Sequence, residues 1–163
     1  MSFVDTFFEN LRRHPSRPFV TEVHGERLER GYGGRLLERI QKGRGGLRAR
    51  EVAPGDRVVL LAPNSIDWVA ADLAMLAEGA IVVPMYARQE PAELVSMMQD
   101  AGAKLVVCAD DALAEAVRTC WGEAPLTTFA ELFAADPVDD DPAPREGDDV
   151  VTLIYTSGTS GEP

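Results

Sequence analysis

From Arg57 to Thr119, short apolar runs with almost no polar residue inside them alternate with segments whose apolar residues recur at helical spacing. The runs are 57–62, 80–84 and 104–109; the helical segments are Ser65 to Glu78, Pro91 to Ala101 and Asp110 to Thr119. A strand without polar alternation has both faces covered, and a helix between successive strands is the connection that parallel strands require. The reading is therefore α/β, a mainly parallel sheet with flanking helices. A fourth run, 150–155, is expected to join that sheet.

Local signals agree with this assignment. Asn64 is a good N-cap for the first of these helices, Asp67 lies in its first turn, and Gly79 supplies its stop. Pro91 suits a first helical turn, and Gly102 ends the segment it opens. Met75, Met85, Met97, Met98 and Trp68 read as packing residues. Ahead of the sheet, Ser2 and Asp5 form a capping-box pattern before Phe3, Phe7, Phe8 and Leu11, and Pro15 closes that helix. Its apolar face fits docking on the body of the protein or lying on a membrane surface; acids on the polar face favour docking. Phe19 to Val23 and Arg27 to Arg30 form a hairpin pattern around His24-Gly25-Glu26. A basic helix from Leu36 to Arg50 is weakened by Gly43, Gly45 and Gly46, and its cations read as a solvated face.

Charge narrows the partners. A net charge of −11 over 163 residues argues against nucleic acid, whose binding relies on clustered Lys and Arg. Cys108 and Cys120 lack a CxxC spacing or a nearby His and read as reduced thiols of a cytoplasmic protein, with no metal site. His14 and His24 read as surface residues. Met1 to Pro15 does not resemble a signal peptide, and no apolar run approaches the ~20 residues of a membrane span.

Residues 136–149 hold seven acids, three prolines and a single base, Arg145. They read as an exposed acidic linker; the EF-hand spacing and its central Gly are missing. The linker leads into Val150 to Tyr155 and then Thr156-Ser157-Gly158-Thr159-Ser160-Gly161-Glu162-Pro163. Two glycines three apart let successive N–H groups converge, and four hydroxyls add neutral donors, a composition suited to anionic phosphate oxygens. The spacing does not fit a Walker loop, which needs Gly-Lys-Ser/Thr after four intervening residues, or a dinucleotide fingerprint. It does not fit a serine nucleophile elbow either, because Glu162 stands where the second glycine should be. Composition leaves a plain surface turn and a phosphate site both open.

Tyr155 to Pro163 resembles, over nine residues, the signature loop of the adenylate-forming enzymes. That superfamily contains acyl-CoA synthetases, peptide-synthetase adenylation domains and luciferases. Pro54-Gly55-Asp56-Arg57-Val58, Pro63-Asn64-Ser65 through Trp68, and Ala80 to Tyr86 resemble successive elements of the same region. The run Asn64 to Ala74 and the Asp148-Asp149 lead-in are most similar to bacterial long-chain fatty acyl-CoA synthetases. The resemblance implies that ATP and a carboxylate give an acyl-adenylate, which the thiol of coenzyme A then attacks. It implies Mg²⁺ and assigns ATP phosphate binding to Thr156, Ser157, Gly158, Thr159, Ser160 and Gly161. No catalytic residue is assigned to these 163 positions, because the family places its later motifs beyond the position of Pro163.

Residues 1–163 are accordingly expected to be an incomplete N-terminal portion of such a domain, inactive alone. It divides into a helix, hairpin and helix (1–50), an α/β layer (51–135), the linker (136–149), and a strand with an exposed loop (150–163). Two alternatives stay open: a fragment of an amino-acid or aryl-acid adenylation domain, and a non-catalytic truncated product.

Overall fold

The structure, a computed structural model, describes residues 2–156. Helix α1 (Phe3–Arg13) starts on the expected capping box: Asp5 N–H donates to Ser2 Oγ at 3.2 Å, and Ser2 N–H donates to the Asp5 carboxylate at 2.6 Å. Val4, Phe8 and Leu11 of this helix are buried in the main core, so α1 is docked on the body. Strands β1 (Pro18–His24) and β2 (Arg27–Tyr32) form an antiparallel hairpin. Helix α2 (Gly33–Arg48) follows directly.

The alternating region then builds β3 (Arg57–Leu61), α3 (Ile66–Ala77), β4 (Ile81–Met85), α4 (Pro91–Asp100), β5 (Leu105–Cys108) and α5 (Asp111–Cys120). Two elements escaped the sequence reading: strand β6 (Leu126–Thr128) and the single-turn helix α6 (Phe129–Leu132). All four strands of the main sheet are parallel, in the order β4-β3-β5-β6. The chain passes from β3 to β4 on one side and then crosses back to β5 on the other. With right-handed crossovers, α3 and α4 must therefore lie on opposite faces of the sheet.

Side chains along the strands sort accordingly. Val58, Leu60, Val82, Leu105 and Val107 face a core shared with α1, α2, α3 and α6. Val59, Leu61, Val83, Met85, Val106 and Cys108 face a second core, under α4 and α5. Each fully buried Val or Leu contributes roughly 1.5–3 kcal/mol, and the double coverage explains why these strands carry no polar alternation.

The glycines expected to weaken α2 instead let it approach its neighbours. A Cβ at Gly45 would lie 2.1 Å from Asp136 O, and one at Gly46 would lie 2.1 Å from Leu132 O. The cations of α2 also differ from a solvated face. Arg44 is fully buried and donates to Glu78 Oε1 at 2.6 Å, to Asp140 O at 2.6 Å and to Asp140 Oδ1 at 2.6 Å. Arg48 binds the same two acids. The reason is geometric: residues 34 and 96 positions away in sequence supply the acceptors, which helical periodicity cannot register.

Two further expectations are corrected. The N-cap of α3 is Ser65, whose hydroxyl accepts from Trp68 N–H at 3.0 Å, and not Asn64. Residues 150–155 do not form a strand. They make one parallel bridge, Val82 with Thr152, in which Val82 N–H donates to Val151 O at 3.0 Å and Leu153 N–H to Val82 O at 2.9 Å. The next group on that edge of β4 belongs to Pro84, which has no N–H, so the ladder stops.

The acidic segment 136–149 is largely exposed and has neither helix nor strand, as its composition implies, but it is tethered. Asp139 accepts from Gln41, Asp140 pairs with Arg44 and Arg48, and Ala143 N–H donates to Ala77 O at 2.7 Å.

Candidate functional site

An open parallel sheet binds ligands outside the carboxyl ends of its strands, at the point where strand order reverses. Here that point lies between β3 and β5, at the turns Ala62 to Ser65 and Ala109-Asp110. The hairpin overhangs the first turn and leaves a groove of about 720 Å³, lined among others by Val20, His24, Asn64, Trp68 and Val69.

The helix starts in this crevice are already satisfied by the protein itself. Ile66 N–H donates to Glu22 Oε2 at 2.9 Å, Trp68 N–H to Ser65 Oγ, and Leu113 N–H to Asp110 Oδ1 at 2.9 Å. Carboxylates standing where an anionic ligand would approach repel it, so these termini are not phosphate sites. His24, a surface residue as expected, lies 3.1 Å from the other oxygen of Glu22. At the carboxyl end of β5, Cys108 is a buried thiol pushed up to about 12 by desolvation and by nearby Asp110, which makes it inert as a nucleophile.

Of the six residues expected to bind phosphate, the structure describes Thr156, which is exposed; Ser157, Gly158, Thr159, Ser160 and Gly161 lie outside the described residues. The approach to Thr156 is defined by its predecessors. Beyond the bridge at Thr152 the Tyr155 side chain reaches the amino ends of the strands. There Tyr155 Oη donates to Asp100 Oδ2, at the C-terminus of α4, at 2.5 Å. Burial, with this hydrogen bond and the Asp100 charge adding to it, pushes the Tyr155 phenol up to about 12 and keeps it a neutral donor. A shallow depression of about 390 Å³ separates the segment from Arg57, Ile81 and Ala101. Arg57 is committed to the carbonyls of Ala101 at 3.0 Å and Gly102 at 3.2 Å.

The Tyr155 side chain and the carboxyl-end crevice thus stand at opposite ends of the sheet. Among the described residues no group of three or more His, Cys, Asp or Glu could hold a metal ion, and no helix is long and apolar enough to cross a membrane. Sequence reasoning missed Arg145, which fixes the segment before Thr156. Its Nη2 donates to Ala80 O at 2.5 Å, its Nε to Leu76 O and its Nη1 to Val150 O, each at 3.3 Å. The available signal was a lone base in a run of acids.

Comparison with known proteins agrees with this fold. A feruloyl-CoA synthase of Amycolatopsis sp. is 33% identical over 153 residues, covering 94% of this chain and 31% of the relative. A long-chain-fatty-acid–CoA ligase of Mycobacterium tuberculosis is 31% identical over 128 residues, covering 72% of this chain and 25% of the relative. The chain therefore spans about a third or less of the length of these relatives. The crystal structure of an acyl-CoA synthetase from Brucella canis superposes with a TM-score of 0.83 over 96% of this chain and 32% of its own, at 21% identity. The model of the family described as AMP-binding enzyme matches residues 7–163, so the chain belongs to the AMP-binding, adenylate-forming enzymes.

Proposed function

We propose that this chain supplies the phosphate-gripping segment of an ATP-dependent, AMP-forming acid–thiol ligase, and that the acid is a long-chain fatty acid. In the first step a carboxylate oxygen attacks the α-phosphorus of ATP and pyrophosphate leaves. In the second the sulfur of coenzyme A attacks the acyl carbonyl and AMP leaves with the electron pair of the broken C–O bond. The carrying observation is that the family match, residues 7–163, extends over Tyr155 to Pro163, the hydroxyl- and glycine-rich segment.

Thr156 to Gly161 would donate N–H and O–H groups to the β- and γ-phosphates. Charge on those oxygens is what opposes approach of the carboxylate, and fixed donors offset it without reorganisation. Mg²⁺, when bound, would neutralise the same oxygens; no residue of this chain is assigned to it. The acidic surface does not contribute, since its carboxylates repel triphosphate.

The fatty-acid reading draws on the run Asn64 to Ala74 and on the mycobacterial relative. A second reading, an aromatic acid, draws on the feruloyl-CoA synthase, whose similarity extends over more of the chain. Isotope exchange between pyrophosphate and ATP, measured on the protein that carries this chain, separates them. Exchange driven by palmitate supports the first reading and exchange driven by ferulate the second. No exchange with either acid would refute both acid readings, and exchange indifferent to Thr156→Ala and Gly158→Ala would refute the phosphate role.

A further inference from the structure

The geometry points to Arg145 as a positioning residue that fixes Val150 against the α3–β4 turn, and so sets how residues 151–153 meet Val82 and where the segment leading to Thr156 starts. The inference rests on the reading of Thr156 to Gly161 as phosphate donors.

Arg145 is the only base between Asp136 and Asp149, yet it forms no ion pair with the acids around it among the described residues. Its guanidinium is spent on three backbone carbonyls instead. Leu76 O belongs to the last turn of α3, Ala80 O precedes β4, and Val150 O lies two residues before the bridging Thr152. One rigid, planar fork thus ties the end of a helix, the start of a strand and the segment that follows. Burial lowers the pKa of the guanidinium, as expected for a cation that gives up water for carbonyl dipoles, and it remains charged.

The anchor is needed because the ladder is short. Pro84 denies the segment a second set of bonds to β4, leaving two backbone bonds to Val82 and the Thr152 hydroxyl on Val82 O at 3.0 Å. A segment held to its neighbour by so few bonds is weakly specified in position, and a slip of one residue would turn its side chains to the other face. Arg145 holds Val150 to the fixed α3–β4 turn, six residues before Thr156. The substitutions that test this are Arg145→Lys, which keeps the charge but cannot span three carbonyls, and Arg145→Ala.

Hydrogen–deuterium exchange on the 163-residue chain would be read amide by amide by NMR, with Mg²⁺-ATP affinity measured on the same samples. In both variants the Leu153 and Val82 amides are expected to exchange about tenfold faster while Val59 and Val107 keep their rates, and the Kd for Mg²⁺-ATP to rise about fivefold. Leu153 and Val82 exchanging as in the parent, or every core amide accelerating together, would overturn the inference. So would faster exchange at Leu153 with ATP affinity unchanged. A parent chain that takes up no Mg²⁺-ATP would refute the phosphate reading of the loop, and the exchange rates alone would then decide the positioning role.

Discussion

Burial alone pushes the Asp72 carboxyl from the usual 3.8 up to about 6, and no hydrogen-bond or ion-pair partner among the described residues offsets it. The folded chain therefore holds this proton more tightly than the unfolded chain does. Stability from that difference is fully present below about pH 4 and is lost as pH rises through about 6, so at pH 7 Asp72 is a net cost. Asp72→Asn removes the charge with little change of shape and is expected to stabilise the chain at pH 7 by about 1–2 kcal/mol. The gain should vanish near pH 4. Urea unfolding of parent and variant at pH 4, 5, 6 and 7 checks this; a constant difference across the series would show that the carboxylate is not the cause. Asp140 has the opposite sign. Arg48, by hydrogen bond, and then the charge of Arg44 hold its carboxyl below the usual range, so its contribution is present at neutral pH and lost on acidification.

At the level of elements, helix α2 shows how packing can reverse a propensity. Gly46→Ala should favour the helix by about 1 kcal/mol on propensity alone. The new methyl would sit 2.1 Å from Leu132 O and 2.9 Å from Leu132 Cδ1, so α6 must move, and overpacking of this kind costs about 1–3 kcal/mol. Net destabilisation is expected in thermal unfolding, whereas Gly122→Ala, with nothing within 4 Å of its new methyl, should be nearly silent. A Gly46→Ala variant that melts higher than the parent would refute the close-approach account. The same contrast explains what was legible in the sequence. Strands β3, β4 and β5 and helices α3, α4 and α5 were readable because each carries its own periodicity. Strand β6 has three residues and α6 one turn, too short for any period to develop, and both exist because Val106 to Cys108 and the floor of α2 offer them a surface. The absent strand at 150–155 was in principle readable from Pro84, but only once the edge of β4 that pairs with it was known.

For the whole molecule, the strand order reverses between β3 and β5 and opens a crevice at the carboxyl ends, while the Tyr155 side chain reaches toward the amino ends of the strands. The candidate site was legible only as a nine-residue pattern; its composition alone fits a plain turn equally well. Arg145 and the Arg44–Glu78–Asp140 cluster were not legible, because their acceptors come together only when segments far apart in sequence meet. This arrangement bears directly on activity. Adenylation needs two anionic substrates positioned and the charge on the transferring phosphate stabilised, contributions worth several kcal/mol each. Among the described residues, Arg57, which lines the depression beside Tyr155, and Arg145, which holds Val150, are committed to backbone carbonyls, and the relatives are at least about three times as long as the 163 residues. The 163-residue chain, mixed with ATP, Mg²⁺, palmitate and coenzyme A, is therefore expected to release neither AMP nor acyl-CoA above a no-protein control. Turnover abolished by Thr156→Ala or Gly158→Ala would overturn this by showing that the chain brings its own phosphate grip to completion. Turnover indifferent to both would point to a contaminating ligase, because Thr156 to Gly161 are the residues proposed to hold the ATP phosphates.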